Sequence, residues 1–152
     1  MPILTIAGTP YNYPDEGTEP GWGSDATDWA QAVTDVINTL VAPGDILQTT
    51  FTLQDNTATP TIVSGLRFDP TVVRAANITY SVNRNGQNQA GLLLLNYNQS
   101  GATGSKWVIT EANKIGDVGV TFSIDDTGQV YYLSTSTGFT AAITFAAKTL
   151  NQ

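Results

Sequence analysis

Glu111 with either Asp117 or Asp69 is the best carboxylate pair this chain offers for general acid and base work, the chemistry by which two acids flanking a glycosidic bond cleave it. Nothing in their spacing selects such a pair, and ordinary loop positions account for all three. The chain contains no histidine and no cysteine, which removes Ser-His-Asp and Cys-His nucleophiles and Cys/His zinc sites. Asp125, Asp126 and Thr127 offer hard oxygen ligands. Their stretch nevertheless lacks the alternating acids and distal glutamate of a calcium loop, and Gly128 behind them reads as the glycine of a hairpin turn. Gly101 and Gly104 are followed by no Lys-Ser/Thr pair, so a phosphate-binding loop is not expected. The sequence predicts a protein without catalytic residues, metal or cofactor.

Aromatic residues carry the more serious binding chemistry. Tyr97, Trp107, Tyr131 and Tyr132 have rings of the kind that stack on sugars, with Asn- and Gln-containing loops to hydrogen-bond hydroxyls. The competing reading places Trp107 and one of Tyr131 or Tyr132 in a core, because neighbours along a strand point to opposite faces. Tyr97 and Tyr132 are the expected glycan or receptor contacts, and the polar run 83–91 is expected to be a protruding tip.

Charge narrows the partners. Acids outnumber bases 13 to 6, for a net charge of −7, and charged residues are only 12% of the 152, against roughly 25% in an ordinary soluble domain. The six cations are scattered singly, so the clustered basic footprint of a nucleic-acid binder is missing. The longest apolar run is the four residues 92–95, and neither a secretory leader nor a membrane span is expected. A surface that is polar rather than charged is common in extracellular β-rich modules and virion proteins.

The elements that must hold these residues follow from periodicity. Residues 22–41 read as one amphipathic helix, with Trp22, Ala26, Trp29, Val33, Val36 and Leu40 spaced by fours and threes as a heptad seam. Ser24 or Asp25 is the expected N-cap with Trp22 stapled outside it, and Pro43 and Gly44 stop the helix. Its β-branched interior and its length of under three heptads mean that packing must hold it, so the seam is the predicted subunit interface over 24–42. Ahead of it, 1–23 reads as an extended arm rich in proline and glycine, with a short strand around Ile3, Leu4 and Ile6. From residue 45 the period changes to two. The clearest strand carries Ala76, Ile78, Tyr80 and Val82, the run 92–95 reads as a strand buried on both faces, and 118–124 and 129–133 form a hairpin. Seven or eight strands and one helix predict a mainly β protein, an antiparallel β-sandwich or jelly-roll-like body over 45–152 preceded by the arm and the helix.

The run PGWGSDATDWAQAVTDVINTLVAPGDI at 20–46 resembles the N-terminal segment of small virion structural proteins of tailed bacteriophages. GVTFSIDDTGQVYYLSTSTG at 119–138 and AAITFAAKTL at 141–150 are similar to their β-rich C-terminal part. The resemblance implies a non-enzymatic, homotrimeric virion protein bound to the major capsid protein or another virion protein, and the short chain without a fibrous shaft or repeats favours capsid decoration (a cement protein on the capsid surface) over a tail site. The resemblance would make Ile3, Ile6, Tyr11 and Tyr13 particle attachment contacts, bring Val33, Val36 and Leu40 together with their copies, and let Arg74 and Arg84 pair acids across subunits. The alternative it implies is a tail- or head-fibre module that binds host-surface carbohydrate or receptor. Nucleic acid and membrane are not expected partners.

Overall fold

The computed structural model describes residues 3–6, 9–12, 22–40 and 42–151, with side chains over 26–37 and 42–151. The chain divides into two units, Met1–Ala42 and Pro43–Gln152. In the first, β1 (Ile3–Ile6) and β2 (Thr9–Asn12) pair antiparallel, with Ile3 opposite Asn12 and Ile6 opposite Thr9. The expected arm therefore contains a second strand after the first; Pro10 is tolerated there because a two-stranded ribbon has only edges. The helix α1 (Trp22–Leu40) starts three or four residues earlier than the capping pattern predicts, which puts Ser24 and Asp25 in its first turn. Ala26, Trp29, Val33 and Val36 are half-buried and Ala32 is buried, while Asp28, Gln31, Thr34 and Asp35 face solvent. Among the described side chains the covered stripe is thus Ala26, Trp29, Val33 and Val36 of the seam with Ala32 added. On the open face Gln31 Nε2 donates to Asp35 Oδ1 (2.7 Å) and the Thr34 hydroxyl to the Ala30 carbonyl (2.8 Å). The side chains of Trp22 and Leu40, and of the expected attachment residues Ile3, Ile6, Tyr11 and Tyr13, lie outside the described residues.

The second unit is a two-sheet antiparallel sandwich. Its strands are β3 (Ile46–Leu53), β4 (Thr61–Arg67), β5 (Val73–Arg84), β6 (Gln87–Tyr97), β7 (Trp107–Ile115), β8 (Val120–Ile124), β9 (Gln129–Ser134) and β10 (Ala141–Asn151). One sheet has the order β3-β10-β5-β6-β7 and the other β4-β9-β8. Alternation makes the core: Ala76, Ile78, Tyr80 and Val82 of β5 and Ala141, Ile143, Phe145 and Ala147 of β10 point inward, against Val63 and Leu66 of β4, Val120 of β8 and Val130 and Tyr132 of β9. The Tyr80 ring meets Phe122 of the opposite sheet edge-on at 5.2 Å.

Two loop and strand expectations change. The run 83–91 is not a long loop: β5 and β6 stay paired up to Arg84 and Gln87, and only Asn85 and Gly86, which both take positive φ (48° and 77°), form the turn at the hairpin's end. That is the Asn-Gly turn whose twist matches that of the flanking strands. Polarity, which suggested a loop, reflects instead the solvent face of β5 and β6, where Asn83 Nδ2 donates to Asn88 Oδ1 (2.8 Å). The apolar run 92–95 is likewise one-sided, with Leu93 and Leu95 buried and Leu94 39% exposed. The hairpin over Asp125 to Gly128 forms as expected. Asp125 Oδ1 accepts from the backbone N–H groups of Thr127 (2.9 Å) and Gln129 (3.1 Å), and Oδ2 from the Tyr131 hydroxyl (2.9 Å).

Gly86 and Gly128 adopt nearly the same left-handed conformation (φ 77° and 80°), yet a methyl group added at Gly86 meets nothing within 4 Å while one at Gly128 would lie 1.9 Å from the Phe68 carbonyl oxygen. Gly86→Ala should therefore cost only the conformational strain of about 1–2 kcal/mol, and Gly128→Ala clearly more. Denaturant unfolding of the two variants measures the difference, and equal losses would show that the Phe68–Gly128 contact is slack.

Candidate functional site

The strand order gathers four connections at one end of the sandwich: β3–β4, the β5–β6 turn, β7–β8 and β9–β10. The inward positions of the strands change character there. Following Ala76, Ile78, Tyr80 and Val82 by twos leads to Arg84, which is only 4% exposed. Its Nε donates to the Phe139 carbonyl (2.9 Å), Nη1 to the Val118 carbonyl (2.9 Å), and Nη2 to the Thr135 carbonyl (2.7 Å) and the Asp55 carboxylate. Asp55 in turn accepts from the backbone N–H groups of Thr137 and Gly138, each at 2.9 Å. One guanidinium thus holds three loops against the end of β5. Arg84 was expected to pair an acid across subunits; its acid is Asp55 of the same chain, because an inward-facing cation must be compensated where it is buried.

Gln89, fully buried, does the same between sheets. Its Oε1 accepts from Val118 N–H (3.0 Å), and its Nε2 donates to the Val120 carbonyl (3.1 Å) and to the Tyr80 hydroxyl (3.2 Å). The Tyr80 hydroxyl donates to Glu111, and burial, with that hydrogen bond second, pushes the phenol up to about 12. Ser134, also buried, donates to the Gln54 carbonyl (2.6 Å) and accepts from Thr57 N–H (3.1 Å).

Glu111 and Asp117 come together here through Lys114, whose Nζ lies 3.8 Å from Glu111 and 3.5 Å from Asp117. Asp69 belongs to the opposite end of the sandwich, where Thr71 holds it in a turn. Asp117 is held below the ordinary carboxylate range by the Gly119 N–H and by Lys114, and Asp69 by its hydrogen bonds to Thr71. A glycosidase acid needs the opposite shift.

Of the expected aromatic contacts, Tyr132 is a core residue: it is 1% exposed, and its hydroxyl accepts from Gln54 N–H (2.9 Å). It presents no ring to a sugar, because its place on β9 alternates with Tyr131 and faces the other sheet. Tyr97 is half-buried and covers Trp107, itself 4% exposed, with ring centroids 5.0 Å apart.

The space above Arg84 is a groove of about 410 Å³ lined by Asn85, Gln87, Asp117, Thr135, Thr137 and Phe139, among others. A second, of about 420 Å³, lies on the other side of Asp117 and Thr135, towards Thr57, Lys114 and Leu133. Phe139 is 50% exposed although its backbone is fixed by Arg84. Sequence reasoning passed over this residue; the signal was an isolated aromatic in the polar stretch 134–140.

Arg84→Met should cost about 3–5 kcal/mol in denaturant unfolding, the scale of breaking a buried pair. With no histidine, stability should be flat from pH 8 to about pH 5. Asp55 is held low by the Thr137 and Gly138 N–H groups and Arg84, so its contribution is complete above the ordinary aspartate value near pH 4 and is lost as the pH falls through its own lower value. Asp55→Asn should make that acid limb shallower. At the alkaline side Tyr80 contributes below about pH 10, and this is lost as the pH rises through about 12.

No family model and no curated protein matches this chain. Among solved structures it is similar to the tailspike protein of Acinetobacter phage vB_ApiP_P1, with 12% identity and a TM-score of 0.41 over 68% of this chain and 22% of that one. The chain corresponds to under a quarter of the tailspike's length, and an overlap at that score does not establish a common fold.

Proposed function

We propose that this chain is a non-enzymatic structural module of a phage virion, of the tail- or head-fibre kind, whose sandwich offers its loop-bearing end to a host surface. The observation that carries the reading is the treatment of that end: buried Arg84 fixes the loops that wall an open groove while leaving Phe139 half exposed. A module that only filled space would have no need to hold an exposed aromatic on a rigid loop. Recognition benefits from it, because a preordered surface loses little entropy on binding. The resemblance of 20–46 and 119–150 to small virion proteins supports the setting. The acids favour no catalysis, since Asp117 and Asp69 are shifted away from proton donation and Glu111 is occupied by Tyr80 and Lys114.

Labelled protein incubated with a panel of bacterial cells should sediment with a few strains and ignore the rest. Retention by capsids instead of cells would favour the capsid decoration reading, in which the helix seam is the observation that counts. Incubation with extracted surface polysaccharides should release no new reducing ends; release that disappears in Glu111→Gln would overturn the non-enzymatic assignment.

In either virion role the half-buried seam of Ala26, Trp29, Val33 and Val36 is proposed to complete its burial against two further copies of the helix. Native mass spectrometry should return a trimer, and Val33→Asp should shift it to monomer by placing a charge in that seam. A wild-type monomer, or a trimer indifferent to Val33→Asp, would remove the interface.

A further inference from the structure

The groove above Arg84 has a chemistry that selects its occupant. Its lining combines one exposed aromatic ring, two amides and one carboxylate. The Phe139 ring stands on a loop held from both sides: Arg84 Nε binds its own carbonyl, and Asp55 binds the N–H groups of Thr137 and Gly138 just before it. The side-chain amides of Asn85, in the tight turn, and Gln87, just after it, line the groove. Asp117 commits Oδ1 to the Gly119 N–H (2.8 Å) and to Lys114 Nζ (3.5 Å), and its side chain is 69% exposed.

Several ligand classes fit this lining poorly. An anionic group would need a cation. Arg84 spends its guanidinium on three carbonyls and Asp55, and Lys114 lies between Glu111 and Asp117. A peptide strand would need an open sheet edge, whereas β5 and β6 are paired with each other up to the turn. An apolar ligand would leave the amides and the carboxylate unpaired on binding. A neutral sugar matches each feature: the C–H face of a pyranose stacks on a phenyl ring, hydroxyls donate to a carboxylate, and amides both donate and accept. The volume of about 410 Å³ falls within the ~300–1,000 Å³ typical of small-ligand clefts.

We propose that this groove binds a neutral pyranose glycan, with Phe139 as the stacking platform and Asp117, Asn85 and Gln87 as its hydroxyl partners. The proposal rests on the reading of the chain as a surface-recognition module and assigns that recognition to one end of the sandwich. Neither Phe139 nor Asp117 has a part in the core, so both can be changed while the fold is checked by melting.

The test uses an array of neutral hexose and deoxyhexose oligosaccharides beside acidic ones carrying uronate or sialate, probed with the full chain and with Phe139→Ala and Asp117→Asn. We expect retention on at least one neutral glycan, none on the acidic set, and at least a tenfold loss in each variant. Tyr97→Ala, at the far end of the sandwich, should bind as the wild type does. Retention only on acidic glycans, retention on none, or neutral binding unchanged in both variants overturns the assignment. The cell-binding experiment separates the two levels: wild-type protein and both variants that adhere equally to cells would refute the groove and leave the host-surface role standing, whereas wild-type protein that adheres to no cells would refute that role itself.

Discussion

A cation sealed inside one end of a β-sandwich constrains everything around it. Arg84 lies at an inward position where the core would otherwise continue, and removing a guanidinium from water is costly unless every direction it points in is answered. Here the answers are carbonyls of the β7–β8 and β9–β10 connections and a carboxylate from β3–β4. Those carbonyls belong to loops that could not pair with a neighbouring strand, so the arginine satisfies backbone groups that burial would otherwise orphan. The same contacts give the loops one geometry, and the walls of the groove inherit it.

Buried polar chemistry is concentrated at this end. Arg84, Gln89 and Ser134 are three of the four buried polar residues among those described, and all three face inward near the same loops. Towards the middle and far end the inward positions are Ile78, Leu93, Leu95, Phe145 and Trp107, and the sheets meet through dry contacts such as Phe68 on Trp107. The sandwich is apolar through most of its length and hydrogen-bonded at the loop end. Two of its edge strands are irregular: β4 slips register between Ile62 and Arg67, and β7 bulges at Asn113, whose φ is 53°. The Gln129 amide steadies the first of these by donating to the Val63 and Leu66 carbonyls, each at 3.2 Å.

Period two in the sequence foretold the class of the body, and for β5 it marked the inward residues Ala76, Ile78, Tyr80 and Val82. Where it was overridden by composition the reading failed. Residues 83–91 look like a loop because they are Asn- and Gln-rich, yet Asn85-Gly86 is itself a hairpin signal, and extending the alternation of β5 by one step would have put Arg84 inside. An arginine at an inward strand position implies a buried partner, though not which of 13 acids supplies it. That choice depends on the fold bringing the β3–β4 loop beside the β5 end, a contact 29 residues apart in sequence. The groove was illegible for the same reason, since its residues come from three separate connections. Tyr131 and Tyr132 show the limit in reverse: alternation says that one is buried, and only the register with β4 and β8 says which.

The aspartates of the sandwich have a structural role. Asp45, Asp55, Asp69, Asp117, Asp125 and Asp126 each accept at least one backbone N–H, from Thr149, Thr137, Thr71, Gly119, Thr127 and Lys106 in turn. A carboxylate is the short side chain best suited to this task, because its charged oxygens make stronger bonds to N–H groups than a neutral acceptor does. In the sandwich, residues 43–152, seven acids are nearly balanced by six bases, so the chain's net charge of −7 comes mostly from residues 1–42, which carry six acids and no base. Asp69, Asp117 and Asp125 close their own turns, whereas Asp45, Asp55 and Asp126 tie segments that are distant in sequence.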